Sequence, residues 1–441
     1  MPSSAVAPTF IGIDLGTSGC RACLIDADAR LLQEARTDFP APSINGSEVE
    51  QDADIWWQAV ENVLVDLSKH PACQSLAAVS VDGTSSTLLV TDEHYQPLAP
   101  ALMYNDARAA RQAAVIENVA PQNAAAVFGA SSSLSKLLWL KEQYPQSKKA
   151  LHQADFINGK LSDRYVSDFN NCLKMGFDPQ TEKWPDWLPD LSVPAEMLPE
   201  VVAPGTVIGA LNKSSLDLLQ LKHPVQLLAG TTDSIAGFLA TGADQAGDAV
   251  TSLGSTLVIK ILSPVAINSP QEGIYSHKIN NMWLAGGASN AGCAVLTQFF
   301  EDQKLQQLTE QLNFNLPTGL SYYPLLKTGE RFPDNNPNKQ SCLSPRPDQD
   351  SVFLQAILES LTTIEKQGFD NLSAKGAKQS GRLFTVGGAT KNTKWMEYRQ
   401  QRLDSTVIIP EHTEACFGSA LLARQGFMNT QSMTTINGKP L

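Results

Sequence analysis

Two stretches with nearly the same pattern lie about half the chain apart. Residues 10–25 read FIGIDLGTSGCRACLI: the apolar run Phe10-Ile11-Gly12-Ile13 ends in Asp14, a Gly16-Thr17-Ser18-Gly19 turn follows, and Arg21 to Ile25 form a second apolar run. Residues 247–262, GDAVTSLGSTLVIKIL, repeat the pattern with Ser252-Leu253-Gly254-Ser255-Thr256 at the turn. Apolar runs bounded by Gly, Ser and Thr read as strands joined by tight turns. A repeat at this separation predicts two similar domains from a duplicated unit. Two such hairpins facing each other would grip one polyphosphate, with the cleft between domains as the ligand site. For 441 residues, at roughly 100–200 residues per domain, two or three domains are expected.

The intervening sequence alternates strand and helix patterns, which predicts an α/β fold. DADIWWQAVENVLVDLSK (52–69) puts Ile55, Trp56, Ala59, Val60, Val63, Leu64 and Leu67 on one helical face, with Asp52 or Asp54 as cap. Residues 76–92 read as strand, turn, strand, and SLSKLLWLKEQYP (133–145) as an amphipathic helix stopped by Pro145. Residues 224–243 read as a buried strand, a Gly/Thr/Asp turn and a helix. Residues 329–348 read as a loop, 353–372 as a strong helix, 382–403 as strand, Gly-Gly turn and helix, and 413–427 as a last helix. The expected division is an N-terminal domain at 1–243 and a C-terminal domain at 244–441.

Charge and cysteine usage exclude several classes. The formal net charge is -12 with no Lys/Arg stripe, so no nucleic-acid partner is expected. No stretch approaches 18 uninterrupted apolar residues, so no membrane span is expected. Seven cysteines are scattered, and only Cys20 and Cys23 have C-x-x-C spacing, on a strand. They read as reduced core thiols, and the odd count favours a reducing compartment. MPSSAVAPT lacks the charged and apolar regions of a secretory signal. A cytoplasmic protein is expected, as a monomer or homodimer.

Two carboxylates stand where chemistry is plausible. Asp14, at a strand mouth beside a Gly/Thr/Ser turn, is either a hairpin residue or part of a phosphate clamp in which it holds a divalent cation. Asp233, in AGTTDSIAGF, is either a helix N-cap or a general base. Phosphoryl transfer to a hydroxyl needs a carboxylate near that hydroxyl and a metal on the phosphates, and Asp14 with Asp233 would divide those roles.

These residues carry a resemblance to the FGGY family of carbohydrate kinases, on the actin-like (ribonuclease H-like) ATPase fold. It runs through nearly the whole chain and in order: IGIDLGTSG, EVEQDADIWWQAV, ALMYNDARA, KLLWLKEQYP, AGTTDSIAGFLATGA, GDAVTSLGST, GERFP, QAILES, VGGATKNTKW and PEHTEACFGSALLA each resemble a family segment. The resemblance implies ATP:sugar phosphotransfer with Mg²⁺. Asp14 would help hold the metal and meet the sugar, Thr17 and Ser18 would contact the γ-phosphate region, and Asp233 would be the base. Gly254 and Ser255 would bind the β/γ-phosphates, and Gly387, Gly388 and Asn392 would border the adenosine pocket. SVDGTSSTLLV (80–90) resembles the ribulose-kinase branch, as in plant and cyanobacterial xylulose-kinase-like proteins, rather than the Gln-Met-His piece of xylulose kinases or the Arg-Glu piece of glycerol kinases. That implies D-ribulose as substrate and Ser85 as a sugar contact, with a turn-capping Ser as the plain alternative. A D-xylulose kinase and a sugar-independent ATPase of the same fold are the competing readings. The sequence departs from the family in Val-Gly-Gly-Ala where three glycines are usual, and in Cys416 and Phe417 near the end.

Overall fold

The computed structural model describes residues 7–436; residues 1–6, part of the stretch read as lacking a secretory signal, and 437–441 lie outside it. The described chain forms two compact units, one within Met1–Ala240 and His412–Leu441 and one spanning Thr241–Glu411.

In the first unit, β1 (Thr9–Leu15), β2 (Gly19–Ile25) and β3 (Leu31–Asp38) form an antiparallel meander. Helix α1 (Ala53–Leu67) follows, capped by the Asp52 carboxylate, which accepts from the Asp54 N–H at 2.9 Å. Its stripe Trp56, Ala59, Val60, Val63, Leu64 and Leu67 is buried against the sheet, as the spacing requires. Strand β4 (Leu76–Gly83) runs parallel to β1. Helices α2 (Ser133–Gln143) and α3 (Gln153–Ser162) lead to β5 (Val207–Ala210), β6 (Gln226–Leu228) and α4 (Asp233–Ala240). The six-stranded sheet has the order β5-β6-β4-β1-β2-β3. All seven residues of β1 are buried, as expected for a central strand covered on both faces.

Residues 76–92 do not stay in one sheet. Leu88–Thr91 belongs to a separate five-stranded sheet with 43–45, 48–51, 101–102 and 149–152, so the 84–87 turn passes from one sheet to the other. Helix α2 also differs from the amphipathic expectation. Ser133, Leu134, Ser135, Lys136, Leu137, Leu138 and Leu140 are all buried, because the helix is enclosed rather than laid on a surface.

The second unit repeats the plan. Strands β7 (Ala249–Leu253), β8 (Leu257–Ser263), β9 (Tyr275–Ile279) and β10 (Met282–Ser289) are followed by α5 (Asp302–Glu310), α6 (Asp350–Ala374), β11 (Arg382–Val386), α7 (Thr393–Arg402) and β12 (Thr406–Ile408). The sheet order is β9-β10-β8-β7-β11-β12. As β1 lies between antiparallel β2 and parallel β4, so β7 lies between antiparallel β8 and parallel β11.

The last helix, α8 (Ala415–Ile436), groups with the first unit, whereas the division at 243/244 assigned it to the second. The physical reason is close packing on β1. A Cβ on Gly12 would stand 2.0 Å from the Cys416 carbonyl oxygen, and one on Gly418 would stand 1.8 Å from that of Ala236. Cys20 and Cys23 point into different cores on the two faces of the first sheet, and both are free thiols. No described helix is long and apolar enough to cross a membrane.

Candidate active site

In the first unit the carboxyl ends of three parallel strands converge. β1 ends in Asp14-Leu15, β4 in Asp82-Gly83, and the chain after β6 bridges to β4 through Gly83 and Thr232, just before Asp233 opens α4. Strand ends of this kind are where open α/β sheets bind ligands. A Cβ on Gly230 would lie 1.8 Å from the Val81 carbonyl oxygen, so glycine is what permits this approach. Asp233 is half-buried, and its Oδ1 accepts from the Ser234 N–H at 2.6 Å.

Asp14 and Asp82 are register partners across β1 and β4. Burial pushes Asp14 up to about 6; the negative charge of Asp233 adds to this, and neighbouring Asp82 and Arg21 oppose it. Asp82 has no exposed surface and is driven further up, by burial and then by the Asp14 charge, although the Ser419 hydroxyl of α8 donates to its Oδ2. Burial thus holds both carboxyls of the pair above the ordinary carboxylate range.

The turn after β1 is closed by Gly16 N–H donating to the Gly19 carbonyl at 2.9 Å. Thr17 is half-buried and Ser18 exposed. Gln51 holds this turn: its Nε2 donates to the Thr17 carbonyl at 3.1 Å, while its Oε1 accepts from Trp56 Nε1 at 2.7 Å. In the 84–87 turn, Thr84, Ser86 and Thr87 are buried and Ser85 alone is half-exposed. The Thr84 N–H and hydroxyl both donate to Gln153 Oε1, at 2.9 and 2.8 Å.

The second unit contains a cavity of about 590 Å³, inside the range of small-molecule sites. Gly254, Ser255, Gly388 and Asn392 line it, with Leu354, Leu358 and Trp395 as apolar wall. Gly387 is not among the lining residues; its φ is +103° and a Cβ there would meet the Leu253 carbonyl oxygen at 2.4 Å. Asn392 caps α7, its Oδ1 accepting from the Trp395 N–H at 3.0 Å. Beneath the hairpin, fully buried Arg399 donates to both oxygens of Glu365, at 2.8 and 2.5 Å, and to Thr385 Oγ1 at 3.0 Å, and Thr251 Oγ1 donates to Glu365 at 2.6 Å.

Thus Asp14, Thr17, Ser18, Ser85 and Asp233 lie on the strand-end loops of the first unit, and Gly254, Ser255, Gly388 and Asn392 share one cavity in the second. Sequence reasoning did not single out Asp82, Gln51, Lys136 or the Glu365–Arg399 pair. The available signal for Asp82 was that β1 and β4 both end in Asp followed by glycine within two residues. Among the described residues, no group of three or more His, Cys, Asp or Glu side chains forms a metal cage. The donors fit a magnesium ion that keeps its waters and leans on phosphate: ionised Asp14, with the buried Asp82 Oδ1 lacking any donor among the described residues.

The model of the FGGY family of carbohydrate kinases matches through its N-terminal domain over residues 9–240 and its C-terminal domain over residues 249–425. The chain belongs to the FGGY family of carbohydrate kinases. It is accordingly a sugar phosphotransferase with two actin-like domains, and the sugar-independent ATPase reading is set aside. A xylulose kinase of Escherichia coli is 24% identical over 407 residues, 88% of this chain and 83% of that protein. The structure of a ligand-bound xylulose kinase from Lactobacillus acidophilus superposes with a TM-score of 0.86 at 19% identity, covering 97% of this chain and 91% of that one. A gluconate kinase of the same organism gives 0.86 at 20% identity, covering 98% and 91%. Likeness of fold is therefore equal for kinases named for different sugars, and the substrate has to be argued from the site.

Proposed function

We propose that this kinase transfers the γ-phosphoryl group of ATP to a ketopentose, D-ribulose, giving D-ribulose 5-phosphate and ADP. The sugar hydroxyl oxygen attacks the γ-phosphorus, the bond to the ADP oxygen breaks, and the hydroxyl proton passes to the Asp233 carboxylate. Asp233 sits at a helix start on a strand-end loop, close enough to Asp14 to raise the latter's pKa. Magnesium held by Asp14 and backed by Asp82 would neutralise charge on the transferring phosphate. Thr17 and Ser18 would donate to the γ-phosphate, Gly254 and Ser255 to the β/γ-phosphates, and Gly388 and Asn392 would border adenosine.

The observation that carries the substrate assignment is the 84–87 turn. Its side chains are small hydroxyls: Thr84 and Thr87 are buried and bonded to each other, Thr84 also to Gln153, Ser86 is buried, and Ser85 is left half-exposed. Such a turn leaves room and hydrogen bonds for a linear ketose. D-xylulose is the second reading, favoured by the names of the relatives. ADP release with D-ribulose, L-ribulose, D-xylulose, ribitol, glycerol or no sugar tests both. Strong preference for D-ribulose supports the assignment; preference for D-xylulose replaces it.

A further inference from the structure

Lys136 on α2 has no exposed surface. Burying an ammonium is costly, and an apolar residue of similar volume would avoid that cost. Among the described residues, no carboxylate is hydrogen-bonded to it. Its Nζ donates instead to two backbone carbonyls, Ser86 at 2.9 Å and Met103 at 2.6 Å. The Met103 carbonyl also accepts from the Asp106 N–H at 2.9 Å. Burial pulls the Lys136 ammonium down to about 7, with Asp106 opposing this and Lys174 and Arg108 adding to it. Even as a neutral amine it keeps two donors, one for each carbonyl.

The other end of this contact is unusual as well. Ser86 has a φ of +70°, in the left-handed region that side-chain-bearing residues avoid, and its buried Oγ has no partner. A buried amine, a left-handed serine and an unpaired hydroxyl therefore meet at one point. Local costs concentrated in this way mark a conformation held for a purpose other than stability. Thr84 fixes the turn's entry through Gln153, and the lysine fixes its middle while tying it to the segment at Met103. Ser85, between these two anchors, is the one side chain in the turn left facing outward.

We propose that Lys136 is the positioning residue of the 84–87 turn, and that through the Ser86 carbonyl it sets where the Ser85 hydroxyl stands and so the choice among ketoses. This rests on the reading that the turn meets the sugar. Lys136 does not itself touch substrate.

The test compares wild type with Lys136→Met and Lys136→Gln, the latter retaining one amide donor. The KM for the preferred ketopentose is expected to rise about tenfold in Lys136→Met with the KM for ATP within about twofold, and Lys136→Gln to recover part of the loss. The D-ribulose to D-xylulose ratio of kcat/KM shifts with it. In hydrogen exchange, amides of residues 84–89 exchange roughly tenfold faster while those of β1 do not change. Equal losses for sugar and ATP, or unaltered exchange at 84–89, overturn the proposal. If Lys136→Met does not fold, Lys136→Gln supplies the same readouts. Should wild type favour another sugar, the D-ribulose assignment fails alone, since exchange and the KM split on the favoured sugar still decide the role of Lys136.

Discussion

The two hairpins that announce this fold share a backbone and differ in charge. In the first unit the residue at the end of β1 is Asp14, and its partner on the parallel strand is Asp82. In the second unit the same positions are Ser252 and Val386. One buried acid of the second unit, Glu365, lies beneath the hairpin and is matched by Arg399 at 2.5 Å. Asp14 and Asp82 have no such buried cation among the described residues: Arg21 is about half-exposed and engaged by Glu414. Duplicated topology has thus been given two electrostatic settings. One places two buried carboxylates at the strand ends, while the other is neutral there; under the proposed function the first would face the metal and the second the anionic phosphate.

The sharpest way to break this contrast is to remove the base. Asp233→Ala is expected to lower kcat roughly 10³-fold, with binding of a non-hydrolysable ATP analogue within about twofold by calorimetry. Turnover near the wild-type rate would remove Asp233 from the mechanism. The buried pair of the second unit answers in stability instead. Arg399→Met strands Glu365 and is expected to cost about 3–5 kcal/mol in urea unfolding.

The acid pair of the first unit should show itself in the pH dependence of the metal-free protein. Asp14 is raised from 3.8 to about 6 and Asp82 is raised further, so the folded state binds more protons than the unfolded one. The pair's favourable contribution is complete below the unfolded value and is lost as pH rises through about 6. Measured in EDTA against the double variant Asp14→Asn/Asp82→Asn, the wild-type Tm should fall by roughly 5 °C between pH 4 and pH 8. A flat difference would mean that burial does not raise the two carboxyls. Writing the first unit's charge into the second, Ser252→Asp should weaken ADP binding about tenfold through repulsion of phosphate. The smallest effect is expected from Ser85→Ala, about a fivefold rise in sugar KM from loss of one hydrogen bond, with the KM for ATP unchanged.

What could be read from the chain follows from which forces are local. The β1–β2 hairpin, α1 with its Asp52 cap and the β7–β8 hairpin were legible because periodicity, caps and turn residues act over a few positions. Gly254, Ser255, Gly388 and Asn392, singled out by turn chemistry and family segments, line one cavity, which the sequence did not indicate. Lys136 was not legible: its helix looks amphipathic, and only the carbonyls of Ser86 and Met103, from distant segments, make a buried lysine tenable. Asp82 read as a turn residue because its partner Asp14 is set by strand register, not by neighbours. The home of α8 was hidden for the same reason. Gly12 and Gly418 record the close approach, but a glycine does not say which element it makes room for.

That homing of α8 has a consequence for biosynthesis. The second unit, Thr241–Glu411, is one continuous segment, whereas the first is interrupted by it and finished only by residues that follow. A ribosome delivers the whole second unit before the helix that covers β1 and brings Ser419 to Asp82. The unit whose first strands leave the ribosome before the other is therefore the one completed last, and a nascent chain lacks the Ser419 contact to Asp82 until α8 has emerged.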